Sequence, residues 1–187
     1  MVEYSALIID DDIWMQRILA QTVKSYGFKK VLLASNGFDG IALAVEHKPH
    51  IIISDILMPE LNGHLVLRVL KTIKSTKELP ILMVSAVSDA ENLGKAVKQG
   101  TAGFISKPFT RSTVYEKLID VFGEEKLEKI KKGEEITDVD TFYTNTILKR
   151  KSINDIMQRS ENDDKKEYSQ SDEDLDNIEN IKKMLFD

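Results

Sequence analysis

Cysteine is absent from all 187 residues, which excludes disulfide staples, thiolate nucleophiles and sulfur-ligated metal centres. Histidine is scarce: His47, His50 and His64 are the whole supply, too little for a zinc centre. A metal ion on this chain therefore has to be held by oxygen. Long apolar runs are missing too. The longest, such as Ala6 to Ile9 and Ile51 to Ile53, fall far below the roughly 20 residues that a membrane-spanning helix needs. The first residues reach Glu3 and then a strand-like run from Ala6, without the basic region and apolar stretch of a secretory signal. The expectation is a cytoplasmic protein with no membrane span.

Charge is divided along the chain. Residues 1–123 carry a net +1, whereas residues 124–187 carry a net −6. An acidic C-terminal portion is repelled by nucleic-acid phosphates, and the basic triplet Lys149-Arg150-Lys151 is too small to reverse that sign. No DNA partner is expected.

Five short β-rich runs alternate with helical patterns: Ser5 to Ile9, Lys30 to Ala34, His50 to Ser54, Ile81 to Ser85 and Ala102 to Ser106. Strands so short and so apolar read as parallel strands covered on both faces. The covering helices are predicted over Ile13 to Ser25, Asn36 to His47, Gly63 to Ser75, Asp89 to Gln99 and Thr110 to Phe122. The fold class is thus α/β, a doubly wound five-stranded parallel sheet. This domain is placed at residues 1–123. Residues 124–136 read as a linker extending the last helix, and residues 137–187 as an acidic tail, mainly helical or disordered, with possible helices at 138–158 and 172–186.

Open parallel sheets bind ligands beyond the carboxyl ends of their strands. At those ends stand Asp10 and Asp11, Asp55, Ser85 and Lys107. Two carboxylates about 4 Å apart at an effective dielectric near 20 repel by roughly 4 kcal/mol, so such a cluster calls for a cation. With only oxygen ligands to offer, the fitting ion is Mg²⁺, held by Asp11 and Asp55 with Asp10 acting directly or through water. A phosphoryl group in transfer spreads charge over three oxygens and needs positioning and neutralisation rather than covalent help. Lys107 supplies a second positive charge, Ser85 a hydrogen bond, and Asp55 the nucleophile. Asp12 reads as the cap of the first helix rather than as a ligand, and the three histidines as structural or solvated.

These residues carry a resemblance. Ile8-Ile9-Asp10-Asp11-Asp12, Asp55-Ile56-Leu57-Met58-Pro59 with Asn62-Gly63, Val84-Ser85-Ala86 and Ser106-Lys107-Pro108-Phe109 resemble the receiver domain of two-component response regulators, in particular the chemotaxis type with its flavodoxin-like fold. The resemblance covers residues 4 to 122. It implies phosphorylation of Asp55 by a histidine kinase, a histidine phosphotransfer protein or a small phosphodonor. It also implies that the Leu57 backbone carbonyl joins the metal and that Pro108 follows a cis peptide bond. Ser85 and Phe104 are then the switch pair. They would reshape the face made by the helix over Asp89 to Gln99, the fifth strand and the helix over Thr110 to Phe122, to which an unidentified downstream protein would bind, unless the tail serves that purpose. Leu57 and Val87 hold the positions that tune hydrolysis of the acyl phosphate. Both are apolar, so a long-lived phosphorylated form is expected.

Such a switch is not an enzyme beyond its own Mg²⁺-dependent phosphorylation and dephosphorylation. Two other readings compete. Asp10 and Asp12 form a D-x-D that, with Lys107, suits a haloacid-dehalogenase-type phosphatase, but Ile13 and Trp14 follow where a Thr or Val pattern belongs, and no downstream acidic pair appears. A non-phosphorylated pseudo-receiver scaffold is opposed by the intact set Asp10, Asp11, Asp55, Ser85 and Lys107.

Overall fold

The computed structural model describes residues 2–85 and 98–136. The described chain runs β1 (Ser5–Ile9), α1 (Ile13–Ser25), β2 (Lys30–Ala34), α2 (Gly37–His47), β3 (Ile51–Asp55), α3 (Gly63–Thr72), β4 (Ile81–Ser85), β5 (Gly103–Ser106), α4 (Arg111–Phe122) and α5 (Glu124–Lys132). The helix expected over Asp89 to Gln99 falls almost wholly outside the described residues, as do Val87 and the helices expected at 138–158 and 172–186. No described helix is long and apolar enough to cross a membrane.

All strand pairs are parallel and the strand order is β2-β1-β3-β4-β5. Side chains alternate between the two faces, as a pleated strand requires. Ala6 and Ile8 of β1, Ile51 and Ile53 of β3 and Leu82 and Val84 of β4 pack with Leu19 and Val23 of α1 and Val114 and Leu118 of α4. The alternate positions Leu7, Ile9, Ile52, Ile81 and Met83 pack with Ala44 of α2 and Val66, Leu67 and Leu70 of α3. β1, β3 and β4 are buried along their whole length, so they read as unbroken apolar runs.

Local chemistry sets the helix ends. Asp12, Asn36, Asn62 and Thr110 are N-caps whose side chains accept hydrogen bonds from first-turn amides. Asp12 takes Trp14 N at 2.8 Å, which is the capping role expected of it. α3 stops at Thr72, three residues earlier than Ser75. There the Thr76 hydroxyl donates to Leu70 O at 2.7 Å, satisfying a carbonyl that a further turn of helix would otherwise use, and the Lys71 ammonium donates to Lys77 O and Leu79 O in the segment that follows. β3 begins one residue later than expected, because the His50 ring accepts from Ser5 N at 3.0 Å. Burial holds that imidazole below the ordinary histidine value, in keeping with a structural role.

Residues 124–136 differ from a linker that prolongs the last helix. Gly123, at φ +81°, breaks the helix, and α5 follows as a separate element whose Leu127 and Ile130 are buried in the core beside Tyr4, Phe28 and Phe122. Its end lies so close to the turn after α1 that a Cβ on Gly27 would meet Lys131 Cα at 2.5 Å. Beyond α5 the Tyr4 hydroxyl donates to Glu134 O at 3.0 Å and accepts from Ile136 N at 3.1 Å. The Glu/Lys-rich composition concealed two apolar positions three apart, enough for one inward stripe on a short helix. Ile130→Ala is expected to cost about 2–5 kcal/mol of stability in urea unfolding of the full chain. A loss near zero would show that α5 does not belong to the folded core.

Candidate functional site

The register of the sheet builds the site. Ile9 pairs with Ser54 and Asp55 with Val84, so Asp10, one residue past β1, stands beside Asp55 at the end of β3, and Ser85 ends the neighbouring strand. Lys107 follows β5, where its amide donates to Ser85 O at 2.7 Å. Its side chain reaches back over the strand ends, and its Nζ lies 3.1 Å from both Asp10 Oδ2 and Asp55 Oδ2. One ammonium thus joins carboxylates from the first and third strands.

Asp10 is fully buried, and its Oδ1 also accepts from Asp12 N at 2.9 Å. Asp55 is 6% exposed and its Oδ1 accepts from Ile56 N at 2.9 Å. Asp11 is exposed. Each of the three offers a carboxylate oxygen within 4.8 Å of the others. Three carboxylates against one lysine leave two formal negative charges, the complement of one divalent cation. An all-oxygen donor set at this spacing suits a hard ion. The residues present therefore fit Mg²⁺.

Burial pushes the Asp55 carboxyl above its ordinary value; the Lys107 charge works against that rise and the Asp10 charge adds to it. Burial alone would lower Lys107, but the attraction of Asp55 and Asp10 outweighs it and the ammonium sits above the usual lysine value. The pairing is made at the cost of a desolvated Asp55.

Ser85 is buried. By strand alternation it faces the same side of the sheet as Met83, the side on which Phe104 of β5 packs. Leu57 stands just past β3 with its side chain 57% exposed. The bond between Lys107 and Pro108 is cis. The structure thus brings Asp10, Asp11, Asp55 and Lys107 into one cluster, places Ser85 and Phe104 on a common face, and leaves Leu57 open to solvent beside them.

Two residues with a part in this arrangement went unassigned from sequence. Gly63 follows Asn62 at the start of α3, where a Cβ would collide with Asp55 O; only hydrogen fits against the backbone of that residue. Gln16 is a buried polar side chain on α1. The signal for it was a glutamine on the inward stripe that continues through Leu19 and Val23.

The fold and the strand-end cluster define a class, and comparison with known proteins agrees. The family described as the response regulator receiver domain matches residues 6–119, and this chain belongs to it. Among curated relatives, a chemotaxis protein CheY homolog of Campylobacter jejuni is 33% identical over 118 residues, 63% of this chain and 91% of that protein. Among solved structures, the chemotaxis protein CheY4 of Vibrio cholerae superposes with a TM-score of 0.59 at 26% identity, over 63% of this chain and 97% of that one. A chain of the CheX-CheY-BeF3-Mg²⁺ complex of Borrelia burgdorferi gives a TM-score of 0.61 at 26% identity, over 65% and 90%. The chain is accordingly a CheY-like receiver of two-component signalling, a switch of the phosphoacceptor class. Nothing in these likenesses favours a dehalogenase-type phosphatase or a pseudo-receiver.

Because Asp55 is raised on folding, its ionisation opposes folding above the raised value and has no effect below the ordinary aspartate value of 3.8. Asp55→Asn is therefore expected to melt above wild type at neutral pH. The difference should close as pH falls toward 3.8, as followed by circular dichroism melts across pH.

Proposed function

We propose that Asp55 is the phosphoacceptor. The observation that carries this reading is the Lys107 ammonium 3.1 Å from both Asp55 and Asp10, next to a carboxylate triad spaced for a cation. An Asp55 carboxylate oxygen attacks the phosphorus of a phosphohistidine or a small acyl phosphate. The new O–P bond forms as the P–N or P–O bond to the donor breaks, and the leaving group departs with the electron pair. Asp10, Asp11 and Asp55, with the Leu57 backbone carbonyl, would hold Mg²⁺, whose contribution is to neutralise charge on the phosphoryl oxygens. Lys107 lies within reach of a second side of the same group, and Ser85 can donate a hydrogen bond to it. The Borrelia burgdorferi complex contains Mg²⁺ and beryllium fluoride, which supports a divalent ion at this kind of site.

The signal is a change of surface. Phosphorylation adds close to two negative charges and three acceptor oxygens. The Ser85 hydroxyl turns toward them, and Phe104, on the same side of the sheet, repacks in the space released. The donor protein is a histidine kinase or histidine phosphotransfer protein. It would rest on Ile13, Trp14 and Ile18 of α1, which are 57%, 71% and 49% exposed, on the helix that Asp12 caps. Output is a protein–protein contact in the cytoplasm, without DNA. The receiver would occupy residues 1–123, reinforced by α5, and the acidic residues 137–187 would serve that contact or the donor's. The apolar, exposed Leu57 cannot orient a water for attack on the acyl phosphate, so the phosphorylated form is long-lived.

With a small acyl phosphodonor and Mg²⁺, phosphate-affinity electrophoresis is expected to show one labelled species for wild type and none for Asp55→Asn. Lys107→Ala should label on the order of a hundredfold more slowly, and chelation of Mg²⁺ should stop labelling. Label on Asp55→Asn would refute the assignment. The label should persist for minutes or longer and decay several-fold faster in Leu57→Asn; loss from wild type within seconds would overturn the lifetime argument.

A further inference from the structure

Gln16 is 4% exposed on the inward side of α1, and its side-chain amide nitrogen is within hydrogen-bond distance of three acceptors. Nε2 donates to Asp10 O at 2.7 Å and to Ala34 O at 2.9 Å, with Ser35 Oγ at 3.2 Å. Ala34 O also accepts from Asp10 N at 3.1 Å. Asp10 is thereby gripped on both sides, its amide by the end of β2 and its carbonyl by Gln16, while Gln16 N itself bonds Asp12 O at 2.9 Å.

The Asp10 carbonyl and the Asp11 amide belong to one rigid peptide plane. Fixing that carbonyl fixes the plane and with it the N–Cα bond of Asp11, and the bond from Asp12 N to Asp10 Oδ1 holds the next peptide, so that together they restrain the direction in which Cβ of Asp11 leaves the backbone. This matters because the Asp11 side chain makes no hydrogen bond or ion pair with any described residue, whereas Asp10 and Asp55 are each anchored through Lys107 and a backbone amide. Asp11 is the one member of the triad whose aim depends on backbone alone. The Nε2 contacts reach the pocket only through that backbone, since none goes to a carboxylate.

We infer that Gln16 is a positioning residue for the cation site: its amide clamps the β1 exit to the β2 exit and so aims Asp11 into the triad. The inference rests on the metal reading given above. Loss of the amide donors would leave Asp10 O short of a partner, with Ala34 O keeping only its bond from Asp10 N, and free the peptide plane to rotate. Partners that orient metal ligands from behind typically change affinity by about 10- to 100-fold when removed.

The test uses the full chain and MgCl₂ alone. Affinity is read by isothermal titration calorimetry and by the fluorescence of Trp14, the sole tryptophan, which stands three residues past Asp11. Gln16→Met keeps length and volume but removes the donors; Val23→Ala, in the core of the same helix and away from the pocket, is the control for lost stability. Gln16→Met is expected to weaken Mg²⁺ binding about tenfold or more, while Val23→Ala lowers the melting temperature and leaves Mg²⁺ affinity at the wild-type value. Wild-type affinity in Gln16→Met, or an equal loss in Val23→Ala, overturns the positioning role alone. Absence of Mg²⁺ binding by the wild type, or its survival in Asp11→Asn, overturns the metal reading and this inference with it.

Discussion

A single ammonium spanning two strands is the contact on which the site depends. Lys107 enters from the edge of the sheet, past β4, and meets Asp10 and Asp55 at 3.1 Å each. Those carboxylates are nearly inaccessible to water, so removing Lys107 would leave two buried negative charges without their counter-charge. The same contact leaves the triad short of positive charge by the amount a divalent ion supplies. Stability and readiness for a phosphoryl group are therefore two aspects of one charge imbalance.

The arrangement works because register does the gathering. No local motif brings Asp10, Asp55 and Lys107 together; they are separated by 45 and 52 positions. Parallel pairing aligns the strand exits, and buried Ile, Leu and Val side chains on both faces make any other register costly, since a slip by one would turn every side chain to the opposite face. At the strand exits, Gly63 lets the start of α3 press against the Asp55 carbonyl, and Gln16 ties the β1 exit to that of β2. Rigid placement of this kind is what an electrostatic site requires, because its groups must be set before charge develops.

Much of this was legible in the sequence. The run Ile51-Ile52-Ile53 declared a strand buried on both sides, and Asp10, Asp11, Asp55, Ser85 and Lys107 could be read as strand-end residues, since the period of apolar runs fixes where strands finish. Less legible was whatever depended on backbone acceptors. At the early end of α3 the Thr76 hydroxyl takes the Leu70 carbonyl. The grip of Gln16 uses main-chain oxygens, which carry no sequence signature. α5 was read as linker because seven of its nine residues are charged, and composition weighs them above the two, Leu127 and Ile130, that decide its fate.

That misreading bears on how the receiver can be handled as a module. The family match stops at residue 119, and a chimera cut there would transplant a sheet stripped of the helix that lies over Phe28 and Phe122. Gly27 carries the imprint of that helix in having no room for even one carbon. Exchanges of receivers between proteins would have to take the seam at Ile136, beyond the Tyr4 hydroxyl that fastens it, to move the fold with its lid in place.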